Sequence, residues 1–133
     1  MNQKFNRNQN QDRLTLLAEL DQLGIKHTPE KIVRIAKQSD GKIVFLEEGN
    51  ADAGLQHILE RHSSEFADQG IEADQIPDVI IKAVIEGKIT SYQGRKKTPR
   101  PIYEVNFNGK TYYIAVTVGD NGYIVGANPR PSS

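Results

Sequence analysis

A chain of 133 residues with 37% apolar side chains can fill one modest core and not two, so one domain is the expectation. With no cysteine, disulfides and thiolate zinc sites are excluded, and stability has to come from packing and hydrogen bonds. The formal net charge of zero hides a division after Gly87: residues 88–133 carry seven cations and two anions, a net +5, against −5 for the remainder, and such an excess attracts polyanions, phosphate first among them, or else marks a solvated charged loop at residues 95–100.

Residues 1–11 (MNQKFNRNQNQ) are rich in Asn and Gln with little to bury, and are read as a disordered tail or linker preceding a single domain over residues 12–133. They lack the apolar centre of a secretory signal, and no stretch of the chain approaches the roughly 18 to 20 apolar residues of a membrane span. Asp12 can cap a helix whose stripe is Leu16, Leu17, Leu20 and Leu23, with Gly24 placed to end it. Residues 31–38 and 42–47 flank Ser39-Asp40-Gly41 and read as a hairpin, although Thr28-Pro29-Glu30 can instead open a short helix.

Residues 52–66 form a second helix with Leu55, Ile58, Leu59 and Phe66 on one stripe. A third has Pro77 in its first turn, Val79, Ile80, Ile81, Val84 and Ile85 in its body and Gly87 just past its end; it is expected to be the central buried helix. The period then changes to two. Turn signals at residues 93–101, Asn108-Gly109 and Asn121-Gly122 divide the remainder into strands at about 89–92, 102–107, 111–119 and 123–128. The fold class is therefore α+β: N-terminal helices, with a small hairpin, packed on a C-terminal four-stranded antiparallel β-meander.

A two-residue type I′ turn at Asn108-Gly109 makes paired residue numbers sum to 217 along that hairpin. Tyr103 and Val105 then share an apolar face with Tyr112, Ile114, Val116 and Val118, which must cover the helices. Glu104 and Asn106 share the other face with Thr111, Tyr113, Ala115 and Thr117. The same treatment of Asn121-Gly122 gives pairs summing to 243, which places Thr117 opposite Gly126 and Ala115 opposite Asn128. Glu104, Tyr113, Thr117 and Asn128 thus line one exposed surface, with Arg130 at its end and the cationic loop at its margin. An antiparallel sheet commonly has such a hydrated face; an exposed aromatic that can stack on a base, and a glycine whose bare backbone leaves room for a ligand, point beyond that.

His57 and His62 lie in GLQHILERH, separated by about 140° around a helix, an arrangement poorly suited to one metal even with Glu60 between them. His62 falls on the buried stripe, four residues after Ile58, where a histidine is commonly a hydrogen-bonded core residue. Its place near the helix C-terminus also favours the protonated form, which suits a general acid or a phosphate contact.

The segments GNADAGLQHILERHSSEF, IPDVIIKAVIEGKI and RPIYEVNFNGKTYYIAVTVGDNGYIVGANPRP resemble the C-terminal toxin domains of large bacterial polymorphic toxins of the Rhs-repeat and contact-dependent inhibition type. The order of two helices and a four-stranded meander is similar to the barnase, EndoU, colicin E5/D and RelE grouping of ribonucleases. The resemblance implies a metal-independent endoribonuclease, without a cofactor, in which the RNA 2′-hydroxyl attacks the adjacent phosphorus and leaves a 2′,3′-cyclic phosphate. By position, His62 resembles the helix histidine, and Arg95 and Lys97 stand where the scissile phosphate would bind. Thr117 and Asn128 would supply hydrogen bonds from the sheet. Glu104 is placed like the sheet carboxylate that acts as base in barnase-like members, whereas helix-histidine members need none, so His57 stays a second candidate for the base. His57, Lys96, Arg100, Tyr113 and Arg130 complete the implied substrate contacts. The further implications are an antibacterial domain secreted within a larger effector, acting in the target cell's cytoplasm on RNA, with tRNA a candidate, and neutralised by a cognate immunity protein. Apart from that complex the domain is expected to be a monomer. The alternative is a non-enzymatic module that binds RNA or a protein through the same basic sheet.

Overall fold

The computed structural model describes residues 2–94 and 99–131, with side chains described from Asp12 onward. The first helix, α1 (Asn2–Gln22), starts ten residues before Asp12, so Asp12 lies inside it rather than capping it. Its end follows the expected glycine logic. Gly24 adopts a φ of 71°, and the amides of Gly24 and Ile25 fold back onto the carbonyls of Asp21 and Leu20. Leu16 and Leu20 are buried, but Leu23 is 66% exposed, because the helix has ended before the chain can turn that side chain inward.

Both readings of the next segment are realised. Pro29–Lys31 forms a single 3₁₀ turn, and it leads into a hairpin of β1 (Ile32–Lys37) and β2 (Ile43–Glu47). Strand β2 is buried on both faces. Ile43 and Phe45 join Leu16, Leu20 and Ile32 in a small cluster under α1, whereas Val44 and Leu46 join the main core. That double burial explains its unbroken apolar run IVFL.

Helix α2 (Leu55–Asp68) begins three residues later than its stripe predicts, since Asn50 Oδ1 accepts from the amides of Asp52 and Ala53 and holds them in a turn. After a 3₁₀ turn (Ala73–Gln75), helix α3 (Ile76–Glu86) is the buried one, with Ile76, Val79, Ile80, Ala83 and Val84 in the core. Gly87 ends it in an extended conformation, φ −74°. Glycine is required there for space, because a Cβ would stand 2.3 Å from the Ala83 carbonyl oxygen. Among the described residues no helix is long and apolar enough to cross a membrane.

Strands β3 (Lys88–Gln93), β4 (Arg100–Phe107), β5 (Lys110–Val118) and β6 (Ile124–Arg130) form a four-stranded antiparallel sheet in chain order. The β4–β5 pairs sum to 217 throughout, across a turn in which Asn108 (φ 53°) and Gly109 (φ 80°) both take the left-handed values of type I′. The β5–β6 turn is not the expected two-residue one. It spans residues 119–122, with the Gly122 amide donating to Gly119 and the Gly119 amide to Tyr123. The pairing starts at Val118 with Ile124, a sum of 242, and a bulge at Val125 then restores 243 for Thr117 with Gly126 onward. The bulge has a cause in the helices: the Val125 carbonyl accepts the amide of Gly54 at 2.9 Å, at the start of α2.

Tyr103, Val105, Tyr112, Ile114, Val116 and Ala127 meet Ile58, Phe66, Val79 and Ile80 in one core. The helices therefore cover that face of the sheet, and the opposite face is the polar one.

Candidate functional site on the open sheet face

Register fixes what the open face carries. At one end Gln93 pairs with Arg100 and Thr117 with Gly126, the two pairs joined by a side-chain bond from Arg100 to Thr117; the next cross-strand row is Ser91, Ile102, Ala115 and Asn128; a further one is Lys88, Glu104, Tyr113 and Arg130. Lys88, Arg100 and Arg130 are thus three cations against the single carboxylate of Glu104 among the described residues of this face.

Arg100 is the organising residue. Its Nε donates to Thr117 Oγ1 at 2.6 Å and its Nη1 to Asn128 Oδ1 at 2.9 Å. The guanidinium consequently lies over Gly126, where a Cβ would stand 3.0 Å from Nη2. The space above Gly126, expected to admit a ligand, is occupied by Arg100. Partial burial pulls the guanidinium below its usual pKa by desolvation. Both of its partners are neutral, and it forms no ion pair among the described residues. A desolvated cation held by neutral acceptors is a site with an unmet demand for an anion.

Asn128, 7% exposed, is the one buried polar residue among those described, and it is satisfied on both sides. Gln93 Nε2 donates to its Oδ1 at 3.1 Å, and its Nδ2 donates to Gln93 Oε1 at 3.0 Å. Gln93 is on β3 and Asn128 on β6, the two outer strands, so this reciprocal amide pair bridges across the sheet over the buried Ile102–Ala115 row. Gln93 was absent from the expected site because it was assigned to the turn. A bulge between Ile89 and Ser91 sets its face, so alternation from Ile89 alone does not reveal it.

Glu104 and Tyr113 form a second unit. The Tyr113 hydroxyl donates to Glu104 Oε1 at 3.0 Å, and that bond, then the carboxylate charge, raises the Tyr113 pKa above its ordinary 10.0. The sign follows directly. The bond's contribution to stability is complete below the ordinary tyrosine value and is lost as pH rises through the raised folded value. Ultraviolet titration tests this: Glu104→Gln is expected to move one tyrosine ionisation back toward 10.0, and an unchanged curve would show that the bond does not form in solution. The comparison between variants isolates Tyr113, because Tyr103 and Tyr123 are also raised, chiefly by burial.

Arg130 closes this row opposite Tyr113. Its Nε is buried without a hydrogen-bond partner, and it too forms no ion pair among the described residues.

The histidines lie apart from these groups. His57 Nδ1 is 2.9 Å from the Ala51 carbonyl oxygen, which ties it to the turn before α2. His62 Nδ1 is 3.0 Å from Glu65 Oε1, with the ring 26% exposed, so it is neither a core residue nor joined to the sheet network. Helix α2 nevertheless runs beside β6, the outer strand, tied by the Gly54 amide to Val125 at one end and by Gln69 Nε2 to the Arg130 carbonyl at the other. Among the described residues no three His, Asp or Glu side chains group to hold a metal, His57, Glu60 and His62 included.

Of the expected site, the fold brings Arg100, Glu104, Tyr113, Thr117, Asn128 and Arg130 onto one face. Arg95, Lys96 and Lys97 lie outside the described residues. Compared with known proteins, the chain matches no family model and no curated protein sequence.

Proposed function

We propose that this chain is a metal-independent endoribonuclease of the bacterial toxin type, cleaving RNA by attack of the 2′-hydroxyl on the adjacent phosphorus, with the open sheet face as its substrate surface. The observation that supports the reading is Arg100: a half-buried guanidinium, fixed by Thr117 and Asn128, with no carboxylate paired to it among the described residues. A phosphate meets that demand, and the developing phosphorane charge meets it better. Glu104, with Tyr113 holding one of its oxygens, stands in the Arg130 row four residues from Arg100 along β4, about 13 Å at the usual rise, so it is not assigned as base to the phosphate on Arg100. His62 is on α2, which covers the opposite face of the sheet and flanks its outer strand β6, so its proposed role as acid requires the leaving 5′-oxygen to lie over the β6 edge. RNA is favoured over DNA because the nucleophile is the 2′-hydroxyl.

The rest of the proposal follows from that activity. Such an enzyme is delivered within a larger secreted effector to the cytoplasm of a target bacterium, and the producing cell needs an immunity protein, acidic where it covers the basic face.

His62→Ala is the test. Cleavage is expected to fall by about 10²- to 10⁴-fold, while the thermal midpoint stays nearly unchanged, since the side chain contacts an exposed Glu65 rather than the core. Full cleavage by that variant removes His62 from the mechanism.

One observation favours a second reading, a module that binds RNA without cutting it: neither His57 nor His62 hydrogen-bonds to the sheet network. That module would show salt-sensitive binding with the RNA left intact.

A further inference from the structure

The two arginines of the open face are not equivalent to one phosphate site. Arg100 reaches over Gly126, and Arg130 is four residues further along the same strand, about 13 Å away at the usual rise per residue. No single phosphate spans that distance. The row between them holds no charge, only Ser91, Ile102, Ala115 and Asn128. Beside Arg130 stands Tyr113, whose hydroxyl is pinned to Glu104 and whose ring is thereby held in place on the face.

We propose that the face holds a single-stranded polynucleotide along β6, with one phosphate on Arg100, a second, non-adjacent phosphate on Arg130, and the base beside that second phosphate stacked on Tyr113. The assignment rests on the reading of this face as an RNA surface and makes it more specific. Two cations that form no ion pair among the described residues, separated by more than one phosphodiester link, match a chain of phosphates rather than a mononucleotide. A stacking platform selects an unpaired base, since a base in a duplex presents no free ring face. Duplex RNA is therefore expected to bind less well than a single strand of equal length.

The experiment uses 2′-O-methyl oligonucleotides, which lack the attacking hydroxyl, with one to five phosphates, and a blunt duplex of the same composition. Binding is followed by fluorescence anisotropy at low and high salt. For the natural chain, affinity is expected to step upward once the oligonucleotide is long enough to reach both arginines, and to be weaker for the duplex. Arg130→Ala is expected to remove the step, about tenfold, and to leave binding of the shortest oligonucleotides unchanged. Arg130→Gln, which keeps the packed stem, is expected to do the same and separates loss of charge from loss of folding. Tyr113→Leu is expected to weaken the longer oligonucleotides by roughly tenfold or more. Uniform loss at every length, or no loss, on changing Arg130 overturns the two-phosphate track while leaving the RNA surface standing. Absence of any oligonucleotide binding at low salt overturns both.

Discussion

Arg100→Ala is expected to lower RNA cleavage by on the order of 10²- to 10³-fold, the usual cost of removing a donor aimed at developing oxyanion charge. The variant loses the guanidinium itself and also the element that orders the face, because Thr117 Oγ1 and one of two donors to Asn128 Oδ1 depend on it. Asn128 keeps its reciprocal bonds to Gln93, so the fold is expected to survive with a loss of about 1 to 3 kcal/mol. Arg100→Lys is the sharper probe. An ammonium keeps the charge but cannot hold Thr117 and Asn128 through two nitrogens of one plane, so it is expected to restore only a minor part of the activity. Full activity in the lysine variant would show that charge alone matters and that the network is structural.

The largest effect on stability is expected at Gly122. Gly122→Ala combines a φ of 93° with a Cβ that would stand 2.0 Å from the Ile43 carbonyl oxygen, so either the turn or strand β2 has to move. Strand β2 is buried on both faces, and the Phe45 amide donates to the Gly122 carbonyl at 2.9 Å, while the Phe45 ring meets Tyr123 edge-on with centroids 5.7 Å apart. A cost of about 3 to 5 kcal/mol is expected, a large share of what a small domain has. Gly109→Ala is the control: its φ is also positive, at 80°, but nothing lies within 4 Å, so only the strain of about 1 to 2 kcal/mol is expected. Denaturant unfolding of the two variants measures the difference. Equal losses would mean that hairpin and sheet are not locked together at this point.

The legible parts of the fold were those set by local period and turn chemistry. Asn108-Gly109 specified a type I′ turn, and that turn specified the 217 register and both faces of β4 and β5. The 243 register was reached through the wrong turn. A longer loop and a bulge compensate for each other, and the bulge answers to the Gly54 amide of α2, a contact between distant parts of the chain. Arg100 was placed at the margin of the site for a similar reason. Only the fold reveals that the loop ends before it and that its side chain fills the space over Gly126. The stripe that seemed to bury His62 correctly predicted burial of Ile58 and Phe66, but α2 lies along an outer strand and leaves the ring between them partly open. Periodicity identifies the inward side of a helix; it does not say how far the neighbouring sheet extends over it.

The central claim is that this face cuts RNA without a metal. The direct measurement is incubation of the purified chain with total cellular RNA in excess EDTA, followed by mapping of fragment ends. The expected result is a set of discrete fragments ending in 2′,3′-cyclic phosphate, absent when Arg100 is alanine. Intact RNA that is nonetheless bound by the face, or cleavage that stops with EDTA, would contradict it.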